Sequence, residues 1–149
     1  MKVEDLVEIE AIKDVRQRYS HHYDGKQLDA LAELFTEDAI CEFAAAFGED
    51  WVGREQIRDR FARFLENEGP EFAVLHVVTN PAIRLVDSET AHGRWYLLDL
   101  QTTDPARNPL LLLGVYDDVY RKVDGEWRIH RMRIDFLWPR REVGDPRDL

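Results

Sequence analysis

A chain of 149 residues, 44% of them hydrophobic, is long enough for one domain with a real core and short for two. Its formal charge of -10 repels phosphate backbones and anionic lipid, and its C-terminal arginines are interleaved with acids, so neither nucleic acid nor a membrane surface is an expected partner. A single cysteine, Cys41, excludes an internal disulfide and a multi-thiolate metal site, and reads as a small buried packing residue.

The opening residues Met1-Lys2-Val3-Glu4-Asp5 carry charge and lack the apolar run of a secretory signal, and no window reaches the length of a membrane span. The expectation is a soluble cytoplasmic protein. From about Val3 to Asp24 the pattern is helical, with Leu6, Ile9, Ile12, Val15 and Tyr19 on one side and Glu8, Lys13, Asp14, Arg16 and Gln17 mostly on the other. Gly25 is expected to stop it. Its last turns, Tyr19-Ser20-His21-His22-Tyr23-Asp24, place polar rings and a carboxylate along what began as a core-facing stripe. A stripe that turns polar points to a pocket.

A short second helix is predicted from about Gln27 to Phe35, a turn over Thr36 to Asp38, and a strand over Ala39 to Phe43. Ala44 to Asp50 reads as a loop. Trp51-Val52-Gly53 leads into a third helix from about Arg54 to Glu66, with Ile57, Phe61, Phe64 and Leu65 as its apolar positions and an end at Asn67 to Pro70. The period then becomes strand-like. Strands are predicted over about Phe72 to Val78, Ala82 to Val86, Thr90 to Thr102, Leu110 to Val123 and Glu126 to Leu137, separated by turn signals that include Asn80-Pro81 and Asp124-Gly125. Helices first and a long meander afterwards define an α+β fold, with helices covering a bent sheet and an apolar cavity at one end. The domain is expected to span residues 1–138, followed by a polar tail over 139–149, mobile or serving as an arm for another subunit.

The run Ile12 to Leu28, Leu34-Phe35-Thr36-Glu37-Asp38-Ala39, Gly53-Arg54-Glu55-Gln56-Ile57, His76-Val77-Val78-Thr79-Asn80-Pro81, Gly93-Arg94-Trp95-Tyr96 and Tyr120 through Trp127 together resemble the SnoaL-like branch of the NTF2-like superfamily. The resemblance covers nearly the whole chain. It implies a cone-shaped α+β barrel, three N-terminal helices wrapped on a strongly bent, mostly antiparallel sheet with a deep pocket. Fold alone does not choose among the dehydratases, isomerases, cyclases and binding domains of that superfamily. The motifs are most similar to those of the bile-acid 7α-dehydratases, which implies functional positions at Tyr19, Asp24, His76 and Asp99. The His/Asp part is also similar to scytalone dehydratase and hexachlorocyclohexane dehydrochlorinase.

These resemblances imply a lyase that needs no cofactor, with His76 as base, Asp24 fixing its tautomer, Tyr19 donating to the substrate and Asp99 handling the leaving-group proton. An isomerase or cyclase using the same base, or a non-catalytic small-molecule-binding module, are the alternatives. No metal site is expected: His21 and His22 diverge by about 100° on a helix, and the usual spacing of four is missing. The implied lining is Tyr23, Phe43, Trp51, Phe61, Phe64, Trp95, Leu112, Tyr116, Met132 and Phe136, with His130 added because the family's layout turns the even-numbered side of the last strand inwards. Phe136 stands where the bile-acid enzymes have an arginine, so the resemblance does not carry their steroid substrate over to this chain, and the apolar, aromatic lining suits a small hydrophobic ring compound. Tyr96, Leu98, Leu111, Leu113, Val115, Trp127 and Ile129 form the opposite parity, an apolar outer face that implies a homo-oligomer, a dimer or trimer.

Overall fold

The computed structural model describes residues 1–147. Helix α1 runs Val3–Asp24, α2 Leu28–Glu33, strand β1 Phe35–Cys41, a short α3 Ala44–Phe47, β2 Trp51–Val52 and α4 Arg54–Asn67. The strands β3 Val74–Leu85, β4 Thr90–Gln101, β5 Leu110–Val123 and β6 Glu126–Trp138 follow. All six strands form one sheet in the order β2-β1-β6-β5-β4-β3, antiparallel except for the β1–β6 pair. The helices pack on its concave face, the α+β arrangement expected from the sequence. No helix among the described residues is long and apolar enough to cross a membrane.

Helix α1 buries Ile12, Val15, Tyr19 and Tyr23 as the stripe requires, but leaves Leu6, near its start, exposed. Arg16, assigned by pattern to the polar side, is wholly buried. Its guanidinium lies 3.5 Å from the Tyr116 ring centroid and 4.5 Å from that of Tyr19, and Nη2 is 3.0 Å from Asp118. Asp118 also accepts the Tyr120 hydroxyl at 2.9 Å, so the buried charge is both paired and hydrogen-bonded. Gly25 ends the helix by close approach: a Cβ there would stand 2.9 Å from the His21 carbonyl, and the left-handed residue is Lys26.

Phe35 and Thr36 belong to β1 and not to a helix or turn, because Ile129 draws the chain into the sheet: its N–H donates to the Leu34 carbonyl at 2.7 Å. The residues read as a loop before Trp51 contain α3. At Asp124-Gly125 both residues have positive φ, 51° and 80°, the geometry that lets a two-residue hairpin follow strand twist.

Three of the sheet's register irregularities bear on which side chains face the cavity. Asn80-Pro81, read as a turn between two strands, is a bulge inside one strand: Leu85 pairs with Ala91 but Thr79 with Tyr96, so β3 carries one extra residue. A ladder continued unbroken from the Leu85–Ala91 pair through every residue of β3 would set Asp99 opposite Val77; because one residue of β3 is looped out of the ladder, Asp99 lies opposite His76. In β5 the extra residue is Leu111, since Asp99 pairs with Leu112 and Leu100 with Leu110. In β6 it is His130, between Ile129 opposite Tyr120 and Arg131 opposite Val119. Trp127 and Ile129 therefore face the helices, and the inward parity switches to Met132, Ile134 and Phe136.

The tail as far as Arg147 folds back on its own chain. Phe136 and Glu142 exchange backbone hydrogen bonds at 2.9 Å, and the Arg147 backbone N–H reaches Asp117 at 3.0 Å. Residues 148 and 149 of the expected tail lie outside the described residues.

Candidate active site

At the open end of the sheet the helices leave a cavity of about 310 Å³. Its apolar wall is Phe43, Phe61, Phe64, Leu112 and Phe136, all expected there, Ile134 on the even side of the last strand that was expected to face inwards, and Phe47, Val74 and Leu111, which were not. Its polar groups are Tyr19, Tyr23, Glu68, His76, Asp99 and Tyr116. A wider groove of about 650 Å³ between the start of α1 and Ile83 to Leu85 contains none of the candidate catalytic groups.

His76 and Asp24 meet. Asp24, the last residue of α1, accepts the His76 backbone N–H on Oδ2 at 2.9 Å and approaches the ring Nδ1 with Oδ1 at 2.5 Å. The helix end is held there because the Phe72 N–H donates to the Asp24 carbonyl at 2.7 Å, tying α1 to the start of β3. A proton on Nδ1 donated to the carboxylate leaves Nε2 as the basic nitrogen. Nε2 lies 3.7 Å from Asp99 Oδ1, beyond a good hydrogen bond, and that buried oxygen has no hydrogen-bond partner.

Burial pulls the imidazole towards its neutral form, yet the Asp24 hydrogen bond and the negative charges of Asp99, Asp24 and Glu68 outweigh it, so the pKa of His76 lies above the ordinary 6.5. Burial pushes the Asp99 carboxyl up to about 6; His76 opposes this, and Asp24 and Glu68 reinforce it. A base with a raised pKa thus faces an acid whose pKa is also raised, the pairing of shifted groups that acid–base chemistry uses. Tyr19 and Tyr116 are buried phenols with ring centroids 6.1 Å apart, both driven above the ordinary tyrosine range first by desolvation. They remain neutral donors.

Tyr23 packs its ring 4.3 Å from that of His76 and donates its hydroxyl to Glu68 Oε1 at 2.7 Å. Glu68, just past the end of α4, was missed by sequence reasoning, which read Asn67 to Pro70 only as a helix end. Its signal is that α4 delivers Phe61, Phe64 and Leu65 inwards, and Glu68 follows at the same helical step.

Four expected lining residues are elsewhere. His130, the bulge residue of β6, bonds Thr36 at 2.9 Å and lies 3.5 Å from Asp38, away from the cavity. Trp95 shares the Asp99 face but lies deeper in the core, its Nε1 donating to the Tyr120 hydroxyl at 3.1 Å. Met132 lies below the wall, where Arg16 reaches its sulfur at 3.4 Å. Trp51 stands behind the lining, its ring 5.2 Å from both Phe61 and Phe64. His22 pairs with Gln27 at 2.7 Å, and His21 is exposed.

With this geometry in place, comparison with known sequences is informative: the profile of the SnoaL-like domain matches residues 4–133. The chain belongs to the SnoaL-like family. This SnoaL-like chain is 32% identical over 115 residues to an uncharacterised protein of Mycobacterium tuberculosis, spanning 76% of this chain and 74% of the relative. A Novosphingobium aromaticivorans structure assigned provisionally as a scytalone dehydratase superposes with a TM-score of 0.81 at 25% identity, each chain covered to 100%. A type 2 hexachlorocyclohexane dehydrochlorinase shares the fold at a TM-score of 0.76 and 19% identity, covering 99% of this chain and 97% of its own.

Proposed function

We propose that this SnoaL-like chain is a lyase of the dehydratase type, acting on a small hydrophobic ring compound with no cofactor of its own. The carrying observation is the 2.5 Å contact of Asp24 with His76 Nδ1, which leaves Nε2 facing Asp99 in an aromatic cavity. The structural neighbours described as a dehydratase and a dehydrochlorinase point to the same class of elimination.

In the proposed step, His76 Nε2 removes a proton from a ring carbon beside an activating group. The C–H electron pair becomes the new double bond, the neighbouring C–O bond breaks, and the departing oxygen takes its proton from neutral Asp99 to leave as water. Tyr19 donates to the activating oxygen as charge develops on it. Asp24 bears the positive imidazolium by Coulomb attraction and by its two hydrogen bonds.

The 3.7 Å between His76 and Asp99 also favours a second reading, an isomerase or cyclase in which the abstracted proton is returned to the same skeleton. Incubation with a panel of hydroxylated ring compounds, followed by mass spectrometry, separates the two: elimination loses one water and isomerisation conserves mass. Turnover unchanged in His76→Ala would overturn both and leave a binding module. On the outer sheet face Tyr96 is 55% and Val77 39% exposed, and we assign that face to a homo-oligomer contact. Light scattering returning the 17.5 kDa monomer would refute it.

A further inference from the structure

The ionisable groups on the cavity wall are unequal in sign. His76 is the single base; Asp99 and Glu68 are acids, and Asp24 stands directly behind the imidazole. Among the described residues lining the cavity, none is Lys or Arg. The nearest buried cation, Arg16, is committed to Asp118 beneath the tyrosine rings. Arg140 stacks on the Phe136 ring 4.3 Å from its centroid, but is exposed and donates to the Ala46 carbonyl at 2.7 Å.

We propose that Glu68 is a specificity-determining residue, fixing a negative charge at the cavity so that it admits neutral and cationic ring compounds and turns away ring carboxylates. This deepens the substrate-cavity reading above and rests on it. The Tyr23 hydroxyl holds Oε1 at 2.7 Å, so the carboxylate is a positioned charge and not a floating one. When His76 is protonated, its charge is answered by Asp24 and Asp99; Lys26, which reaches the end of α4, donates its ammonium to the Leu65 carbonyl at 2.6 Å, and among the described residues no cation forms an ion pair with Glu68. An incoming ring acid adds a further anion to a partly desolvated space. Like charges about 5–6 Å apart at an effective dielectric near 20 repel strongly, and after ionic screening a discrimination of about tenfold is expected.

The test uses three ligands of one shape, 2-naphthoate, 2-naphthamide and 2-naphthamidine, which share the ring and a planar head group and differ in its charge and hydrogen-bonding groups, and calorimetric titration at about pH 7.5, where general carboxylate, amide and amidine chemistry makes them anionic, neutral and cationic. In the wild-type protein the amide and the amidine are expected to bind about tenfold more tightly than the carboxylate. In Glu68→Gln, which keeps an acceptor for Tyr23, that gap is expected to shrink by about threefold or more while amide binding holds. Equal binding of amide and carboxylate by wild type, binding of no ligand, or a gap unchanged in Glu68→Gln would overturn the proposal. His76→Ala separates it from the chemistry: turnover is lost, but the preference for amide over carboxylate holds or widens, because one positive charge has been removed beside Glu68.

Discussion

Both carboxylate oxygens of Asp24 are spent on His76, one on its backbone N–H and one on its ring. An amide at this position could still accept from the backbone, but its NH2 group would face Nδ1 and favour the tautomer with the proton on Nε2. That tautomer is not a base towards the cavity. Asp24→Asn is therefore expected to lower kcat by about 10² to 10⁴ with little change in ligand affinity. Steady-state kinetics beside ligand titration checks this, and a kcat within about threefold of wild type would refute the proposed role of Asp24.

The rate profile against pH follows from the two shifted groups. Elimination needs His76 neutral and Asp99 protonated; since the pKa of His76 is raised above 6.5 and that of Asp99 is about 6, only a minority of molecules hold both forms at any pH, and that fraction is largest between the two values. The expected profile of kcat/KM is a narrow bell near neutrality whose limbs belong to the coupled pair. In Asp99→Asn the limb due to Asp99 disappears and the maximum rate drops. A bell unchanged in that variant would remove Asp99 from the mechanism.

Stability carries the same signature with a definite sign. Asp99 is shifted upwards by burial, so the folded chain holds this proton more tightly than the unfolded chain does. Its contribution is fully present below the ordinary value of 3.8 and is lost as pH rises towards about 6. The melting temperature of wild type minus that of Asp99→Asn is expected to decrease across that window. Subtracting the variant removes the surface carboxylates from the comparison; a flat difference contradicts the burial of Asp99.

How far the sequence could be read depends on where the strand period holds. The long helix, the Asp124-Gly125 hairpin and the order of helices before strands all rest on local patterns, and the fold followed from them. The cavity wall rests on parity, and parity fails at each bulge. Leu111 was assigned outwards and lines the cavity because it is the extra residue of β5; Trp127 and Ile129 were assigned outwards and face the helices because His130 is the extra residue of β6. Nothing in a hydropathy pattern marks these insertions, since each is set by hydrogen-bond pairing with a neighbouring strand. Arg16 was misplaced for a related reason: its buried partner, Asp118, is a hundred residues away on β5.

That ion pair has a stability consequence of its own. Arg16→Met leaves Asp118 wholly buried without its cation, although Tyr120 still donates to it. A loss of about 3–5 kcal/mol is expected by denaturant unfolding, the usual cost of an orphaned buried charge. Adding Asp118→Asn removes the charge while keeping an acceptor for Tyr120, and is expected to recover most of the loss. If the double variant is no more stable than the single one, packing of the guanidinium on Tyr19 and Tyr116 is the larger contribution.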